Sequence, residues 1–576
     1  MQKILIANRG EIAVRIARAC AEAGYRSVAV YADQDLDAMH VRLADEAFAL
    51  PGTTAAETYL SIAALLDAAR ASGADAVHPG YGFLSESAEF ARAVESAGLT
   101  WIGPSPETID ALGDKVSARA IALRAGAPLA PGTDRPLADA AEAVAFAREH
   151  GVPVVVKAAF GGGGRGLKVA RTVEEVADAF DAAMREAVAA FGRGACFIER
   201  YLEHPRHVEV QVLGDGDGTV VVVGDRDCTL QRRSQKLIEE APAPRLHDEQ
   251  RARMHAAARD ICAAVDYRGA GTVEFLLGRD GTISFLEVNT RLQVEHPVTE
   301  AVTGVDLVRE QFRIAEGLGP SCSTTPPSTG HAIELRLNAE DPGRGFLPSP
   351  GRIEALRVPA GPGIRWDSGV EAGDRVEAAF DSLVAKLIVH AADRDSAIAR
   401  MRRALRELLV TGVATVAPVA TAVLGEPDFA TATFSVSTQW IEATLMPRLA
   451  PQARSARADA PAMQRVPIEL DGRRILVGLP ETLLMAASGA SRADTDAAGG
   501  AVSAPQEDAV LAPVPGTVVR WMADEGASVE AGTPIAVLDA MKMETVVLAH
   551  RSGTLVQRAP VGCDVALDEA IARIER

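Results

Sequence analysis

The stretch from Val510 to Arg576 repeats itself, and this repeat limits what the chain can fold into more than any other feature. Pro515-Gly516-Thr517-Val518 returns as Ser552-Gly553-Thr554-Leu555 about 36 residues later, a period that points to duplication of one small unit. Gly526-Ala527-Ser528-Val529 likewise returns as Gly562-Cys563-Asp564-Val565, and Ile535-Ala536-Val537-Leu538 as Ile571-Ala572-Arg573-Ile574. The runs are short, rich in β-formers and punctuated by glycine, so two interlocked copies of one small sheet are expected. Ala540-Met541-Lys542-Met543-Glu544 falls between the copies, where a turn belongs. Read as exposed on that turn, the two methionines add nothing to a core and make sense as a recognition feature around Lys542.

Composition narrows the class of the rest. A chain of 576 residues has room for three or four domains. Its hydrophobic share of 48% and charged share of 24% are those of an ordinary globular protein. The net charge of -19 argues against nucleic acid as a partner, because phosphate backbones need a basic face. Six cysteines, Cys20, Cys196, Cys228, Cys262, Cys322 and Cys563, show no paired spacing, which argues against a zinc site or a disulfide framework and fits a reducing cytoplasm. No apolar run approaches the ~18 residues of a membrane span, and Met1-Gln2-Lys3-Ile4 enters a strand rather than a signal peptide. The expected setting is cytoplasmic, with no membrane partner.

Taken in order, Lys3 to Ala7 reads as a short apolar strand, Ile12, Ile16, Ala19 and Cys20 as one face of a helix, and Ser27 to Tyr31 as a second strand. This βαβ opening lacks Gly-x-Gly-x-x-Gly, which argues against a nicotinamide cofactor. His78-Pro79-Gly80-Tyr81-Gly82-Phe83-Leu84-Ser85-Glu86 packs glycines, a proline and polar groups into a strand-to-helix junction. Val154-Val155-Val156-Lys157 is an apolar strand that runs into Phe160-Gly161-Gly162-Gly163-Gly164-Arg165-Gly166-Leu167-Lys168. Four successive glycines are costly to order, but they let backbone N–H groups approach phosphate oxygens closely. Flanked by Lys157, Arg165 and Lys168, the stretch reads as a nucleotide-covering hairpin. It is not a Walker loop, since Gly-Lys-Ser/Thr is missing.

His207-Val208-Glu209-Val210-Gln211-Val212 alternates polar and apolar residues, as a half-buried strand does. Gly271 to Leu276 and Ile283 to Asn289 are two strands around the hairpin signal Arg279-Asp280-Gly281. Each carries a carboxylate, Glu274 or Glu287, inside an apolar run, where charge is costly unless compensated. With the amide oxygen of Asn289 they form a hard donor set suited to Mg²⁺ held jointly with nucleotide phosphates. Asn289-Thr290-Arg291-Leu292-Gln293-Val294-Glu295-His296 adds a cation, an amide and a third carboxylate just beyond the strand.

Two resemblances gather these features. Ala540-Met541-Lys542-Met543, with Ala512-Pro513-Val514-Pro515-Gly516 upstream, resembles the biotinyl carrier domains, which implies biotin joined to Lys542 through an amide. A lipoyl domain also displays a lysine at this hairpin but lacks the flanking methionines. Residues 1–446 resemble the biotin carboxylases of the ATP-grasp superfamily, through His78 to Glu86, Gly113-Asp114-Lys115, the glycine run, Gln231 to Lys236, Glu287 to His296 and Arg336-Leu337-Asn338-Ala339-Glu340-Asp341. The fold implied is α/β. It has a dinucleotide-like N-terminal domain over 1–129, an ATP-grasp lid over 130–202, and central and C-terminal biotin carboxylase domains over 203–446. A linker with a short β-hairpin over 447–509 and a small all-β biotinyl/lipoyl-like sandwich over 510–576 complete it.

The same resemblance implies ATP held by Lys115, Lys157, Glu199, Arg200, Leu202, His207 and Gln231, with Gly163 and Gly164 closing over its phosphates. It implies Mg²⁺ (or Mn²⁺) at Glu274, Glu287 and Asn289, and bicarbonate among Lys236, Arg291, Gln293 and the Val294 backbone. Glu295 becomes the general base, and Arg336 stabilises the biotin enolate as carboxyl is transferred. Tyr81 and Asp381 fall on the biotin side. Three positions depart from the family pattern: Ser234 where histidine is common, Arg200 where lysine is frequent, and Gly412-Val413-Ala414-Thr415-Val416 where Thr-Asn is usual. None touches the carboxylates or Arg291, so activity is expected to be retained.

Between Thr444 and Asp508 the chain is rich in alanine, proline and serine, apart from Val466 to Val477, which reads as a hairpin suited to docking a partner. Ser488 to Glu507 is expected to be disordered, with an r.m.s. span of about 25 Å that lets Lys542 travel between sites. No carboxyltransferase domain follows, so the carboxyl group is expected to pass to another polypeptide. The layout resembles the α subunits of bacterial acyl-CoA carboxylases, which implies a carboxyltransferase β subunit, acetyl-CoA or propionyl-CoA as acceptor, a biotin protein ligase, and a homodimeric biotin carboxylase within a larger α/β hetero-oligomer. A pyruvate carboxylase subunit and a non-catalytic carrier or scaffold are the alternatives.

Overall fold

In the computed structural model, which describes residues 1–133, 135–158, 167–191, 194–431, 433–449, 463–470, 473–480, 508–541 and 543–575, the apolar opening builds a parallel sheet. Lys3–Ile6 lies between Arg26–Tyr31 and Ala76–His78, flanked outside by Glu46–Ala49 and Thr100–Trp101. Helix Gly10–Ala23 buries Ile12, Ile16, Ala19 and Cys20, the face expected from their spacing. Contacts gather the described chain into two units. One is Met1–Ala339 with Gly351–Gly412 and Val416–Ala450, and the other is Glu340–Pro350 with Val413–Thr415 and Pro451–Arg576.

In the first unit an eight-stranded antiparallel sheet carries the charged residues. Its order is Ile283–Asn289, Arg268–Leu277, Arg206–Asp215, Val220–Arg232, Gln235–Ala241, His331–Asn338, Leu383–Ala391 and Ile364–Ser368. The Arg279-Asp280-Gly281 turn joins the first two strands as expected. Arg206–Asp215 is a central strand and not a half-buried one. Val208, Val210 and Val212 pack on Met254, Ala258 and Ile261 of helix Asp248–Ala263, while His207, Glu209 and Gln211 are buried on the opposite face. The polar positions of the alternation therefore face a closed interior rather than water, because strands pair along both edges and protein covers both faces.

Val154–Ala158 pairs with Leu167–Ala170 and with Cys196–Arg200, so the glycine run joins two antiparallel strands. Gly163 and Gly164 lie outside the described residues. Among those described, no helix is long and apolar enough to cross a membrane.

The second unit contains the repeat, and the copies interlock as expected. One sheet runs Ala509–Leu511, Ala570–Glu575, Gly553–Gln557, Ser528–Val529, and the other Met543–Leu548, Pro534–Ala540, Gly516–Trp521, Asp564–Val565. Each sheet takes one short strand from the opposite copy, Ser528 pairing with Thr554 and Gly516 with Val565. Val518, Ile535, Leu538, Leu555, Ile571 and Ile574 fill the core between them. The linker hairpin is present as Met463–Leu470 paired with Arg473–Pro480, whereas the segment expected to be disordered lies outside the described residues.

Candidate functional site

Two rows of charged side chains cross the eight-stranded sheet. Antiparallel partners share a face, so register decides who meets whom. Glu287 stands opposite Glu274, Glu274 opposite Glu209, and Glu209 opposite Arg226. Further along, Arg336 stands opposite Lys386, and Lys386 opposite Asp367.

Lys236 ties the first row to Glu295. Its Nζ lies 2.7 Å from Glu209 Oε2, 2.8 Å from Glu274 Oε1 and 2.7 Å from Glu295 Oε1. Arg336 donates from NH2 to the other oxygen of Glu295 at 2.9 Å, and from Nε to Glu239 at 2.5 Å. Burial pushes the Glu295 carboxyl up, but Lys236, Arg336 and Arg226 outweigh it and hold the group well below the ordinary range. Glu239 ends the other way, because its burial is not fully offset by Arg336, and its pKa rises to about 7.

The carboxylates expected to bind metal are brought together unequally. Glu274 receives Lys236, Nδ2 of Asn289 at 2.9 Å and Nε2 of Gln293 at 3.2 Å, with Nε2 of His207 2.9 Å away. Its burial is outweighed by Lys236 and then His207, so its pKa falls. Burial and the charge of Glu274 raise the pKa of Glu287, and no hydrogen bond reaches Glu287 among the described residues. Two opposed carboxylates, one of them short of counter-charge, fit a divalent cation with a preference for hard oxygen donors. The oxygen of Asn289 accepts from Arg291 at 3.1 Å.

Of the nucleotide candidates, Lys115, His207 and Gln231 lie by this row. Lys115 opens helix Lys115–Arg124 and lies close enough to Glu287 to oppose its shift. Lys157 pairs with Glu199 across the three-stranded sheet, and Arg119 lies 3.6 Å from the same carboxylate. Gln231 donates to His207 Nδ1 at 3.4 Å. Leu202 is half-buried after its strand, and the exposed Arg200 donates to the His150 carbonyl at 3.1 Å. Arg233 and Ser234 both take positive φ, 47° and 65°, which places the Ser234 departure at a tight hairpin turn.

Tyr81 is set by the loop after Ala76–His78. Asn8 Nδ2 donates to the carbonyls of Pro79 and Tyr81 at 2.7 and 2.8 Å, and Gly80, at φ +65°, leaves no room for a Cβ beside it. The Tyr81 hydroxyl then bonds Glu11. At the end of the loop, Glu86 accepts from the Thr290 amide at 3.2 Å and from Arg291 Nε at 2.9 Å.

Sequence reasoning assigned no role to Glu209, Arg226, Glu86, Glu11 or Lys386. Arg226 has no exposed surface and donates to Glu209 at 2.5 Å, Gln211 at 2.8 Å, Thr299 at 2.9 Å and Thr272 at 3.0 Å. A polar residue at every second position of an otherwise valine-rich strand was the available signal for Glu209. Glu274 and Glu287 were marked differently, each as a carboxylate inside an apolar run.

In the sandwich, Ala540 and Met543 are register partners, so residues 541 and 542 alone connect two strands. Met541 has φ +53°, as two-residue hairpins require, and it is buried, so it is not an exposed mark. Lys542 lies outside the described residues.

Known proteins share this arrangement. Family models match residues 1–109 as "Biotin carboxylase, N-terminal domain", 114–320 as "Carbamoyl-phosphate synthase L chain, ATP binding domain", 334–443 as "Biotin carboxylase C-terminal domain" and 508–574 as "Biotin-requiring enzyme". The biotin-dependent acyl-coenzyme A carboxylase alpha3 subunit of Mycobacterium leprae is 55% identical over 568 residues, covering 96% of this chain and 95% of that one. Mouse mitochondrial pyruvate carboxylase is 46% identical over 77% of this chain but 38% of its own length. The biotin carboxylase domain dimer of Hydrogenobacter thermophilus 2-oxoglutarate carboxylase, solved with MgADP, ADP and bicarbonate, superposes with a TM-score of 0.72 at 45% identity, over 77% of this chain and 97% of that one. An ATP-grasp biotin carboxylase that works with ATP, Mg²⁺, bicarbonate and biotin, joined to a biotin/lipoyl-type sandwich, this chain belongs to the family of biotin-dependent acyl-coenzyme A carboxylase α subunits.

Proposed function

We propose that this chain uses ATP and bicarbonate to carboxylate biotin carried on Lys542, and that the carboxyl group then passes to acetyl-CoA or propionyl-CoA on a separate carboxyltransferase β subunit. The observation that carries the reading is the buried Glu295, gripped by Lys236 and Arg336 at the end of the turn that also presents Arg291 and Gln293. Bicarbonate is a poor electrophile. Phosphoryl transfer from Mg²⁺-bound ATP activates it when these are bound, and biotin supplies the accepting nitrogen.

The chain's own residues do the positioning. Lys115, Lys157, Glu199, Arg200, Leu202, His207 and Gln231 hold the nucleotide, Gly163 and Gly164 cover it, and Glu274, Glu287 and Asn289 hold the metal. The planar guanidinium of Arg291, braced by Glu86, suits a planar oxyanion, with Gln293, the Val294 backbone and Lys236 completing its pocket. Glu295, kept ionised by its cations, is in the form that accepts the bicarbonate proton. Arg336 stabilises negative charge as biotin reacts, with Tyr81 and Asp381 on that side.

We read the domains as 1–129, 130–202, 203–446, a linker to 509, and 510–576. We further propose that a biotin protein ligase modifies Lys542, that the biotin carboxylase part is a homodimer within an α/β hetero-oligomer, and that the protein works in the cytoplasm. The test is capture on avidin followed by labelled bicarbonate incorporation with acetyl-CoA, propionyl-CoA and pyruvate. Label in an acyl-CoA, with a β subunit co-captured, supports the reading. Label in pyruvate replaces the acceptor, and unmodified Lys542 with no label in any acceptor removes the reading.

A further inference from the structure

We infer that Lys386 is a positioning residue for this reaction. Its buried ammonium holds the Val294 carbonyl and so sets the turn that presents Gln293, the Val294 backbone and Glu295, an inference that rests on the bicarbonate pocket proposed above.

Lys386 lies in Leu383–Ala391 and has no exposed surface. An ammonium with no water is costly unless its partners replace the lost hydration. It has two close ones: it donates to the Val294 carbonyl at 3.0 Å, and Glu11 Oε1 lies 3.0 Å away. The Tyr81 ring centroid is 5.8 Å from Nζ, and the Tyr81 hydroxyl bonds the same Glu11.

Register gives this contact its meaning. Arg336 stands directly opposite Lys386 on the neighbouring strand, so both cations leave one face of the sheet side by side. Arg336 takes the Glu295 carboxylate at 2.9 Å, and Lys386 takes the carbonyl one residue earlier. His296 holds the other end of the turn, with Nδ1 2.7 Å from the Gln293 carbonyl. Burial, then Lys386, Arg15 and Arg365, press the His296 pKa far down, so the ring is neutral and Nδ1 carries the donated proton.

An ion pair with Glu11 alone would not require the ammonium to meet a backbone carbonyl. Lys386 meets both, linking Tyr81 on the biotin side to the turn on the bicarbonate side. With that donor gone, the turn is held at Gln293 and Glu295 but released between them, which loosens anion binding without touching the nucleotide groups.

The experiment uses the full chain and measures bicarbonate-dependent ATP cleavage alongside ATP binding for wild type, K386M and the double variant E11Q/K386M. The double variant removes the Glu11 charge together with its cation, while Asp367, opposite Lys386, keeps Arg365. Wild type without bicarbonate-dependent cleavage would sink the functional reading itself. With wild type active, kcat/KM for bicarbonate is expected to fall about tenfold or more in both variants while the Kd for ATP stays within about twofold. Unchanged kcat/KM for bicarbonate overturns the proposal. So does equal loss of ATP and bicarbonate affinity, or a double variant that does not fold, since either would mark Lys386 as structural only.

Discussion

The eight-stranded sheet and the duplicated sandwich handle a functional residue in opposite ways. In the sheet, charged side chains hold one another, as Lys236 is held by Glu209, Glu274 and Glu295. In the sandwich, the strands turn apolar residues into a core, and only two residues join Ala540 to its register partner Met543. Activating a weak electrophile calls for dipoles and charges fixed in advance within a dry site. Delivering a group calls only for a rigid frame around a reachable position.

The largest effect expected from this contrast is at Lys542. K542R should abolish avidin binding and labelled transfer to any acceptor while leaving ATP-dependent carboxylation of free biotin intact. Loss of both activities together would break the division of labour. Next comes the charged row: E274Q or E287Q should lower kcat for bicarbonate-dependent ATP cleavage by about 10²–10³-fold, and chelation of Mg²⁺ should stop it. Attachment of biotin to Lys542, read by intact mass, should be unaffected by either.

A stability change sharpens the same comparison. Arg226 and Glu209 are both fully buried, so R226M should destabilise the first unit by about 3–5 kcal/mol by taking from Glu209 one of its two cations, while R226M/E209Q should recover part of that loss. A first thermal transition that stays put in R226M would show that Lys236 alone satisfies Glu209. The smallest effect concerns pH. With its pKa raised from 4.5 to about 7, Glu239 binds a proton that the unfolded chain has already released. Its contribution to stability is therefore full below about pH 4.5 and lost as pH rises through about 7. E239Q should flatten that part of the melting-temperature profile, and a profile parallel to wild type would contradict the assignment.

Much of this was legible in the residues. Glu274 and Glu287 were visible because a lone carboxylate in an apolar strand is costly, and the Arg279-Asp280-Gly281 turn announced that their strands pair. The 207–212 strand misled for the same physical reason. Alternation looks the same whether polar residues face water or a closed site, and only the neighbouring strands distinguish the two. Glu86 and Glu11 gave no local signal at all, since each acts on a residue more than two hundred positions away, Arg291 in one case and Lys386 in the other.

The sequence by itself determined the duplicated sandwich with Lys542 between its copies, the biotin carboxylase architecture and the carboxylate pair, because periodicity, turn chemistry and charge in apolar runs are local properties. Tertiary structure alone decided the register that sets Glu287, Glu274, Glu209 and Arg226 in one row, and Arg336 beside Lys386 in another. Those alignments follow from how distant strands pair, and the energy of a buried charge depends on which partner the pairing places beside it.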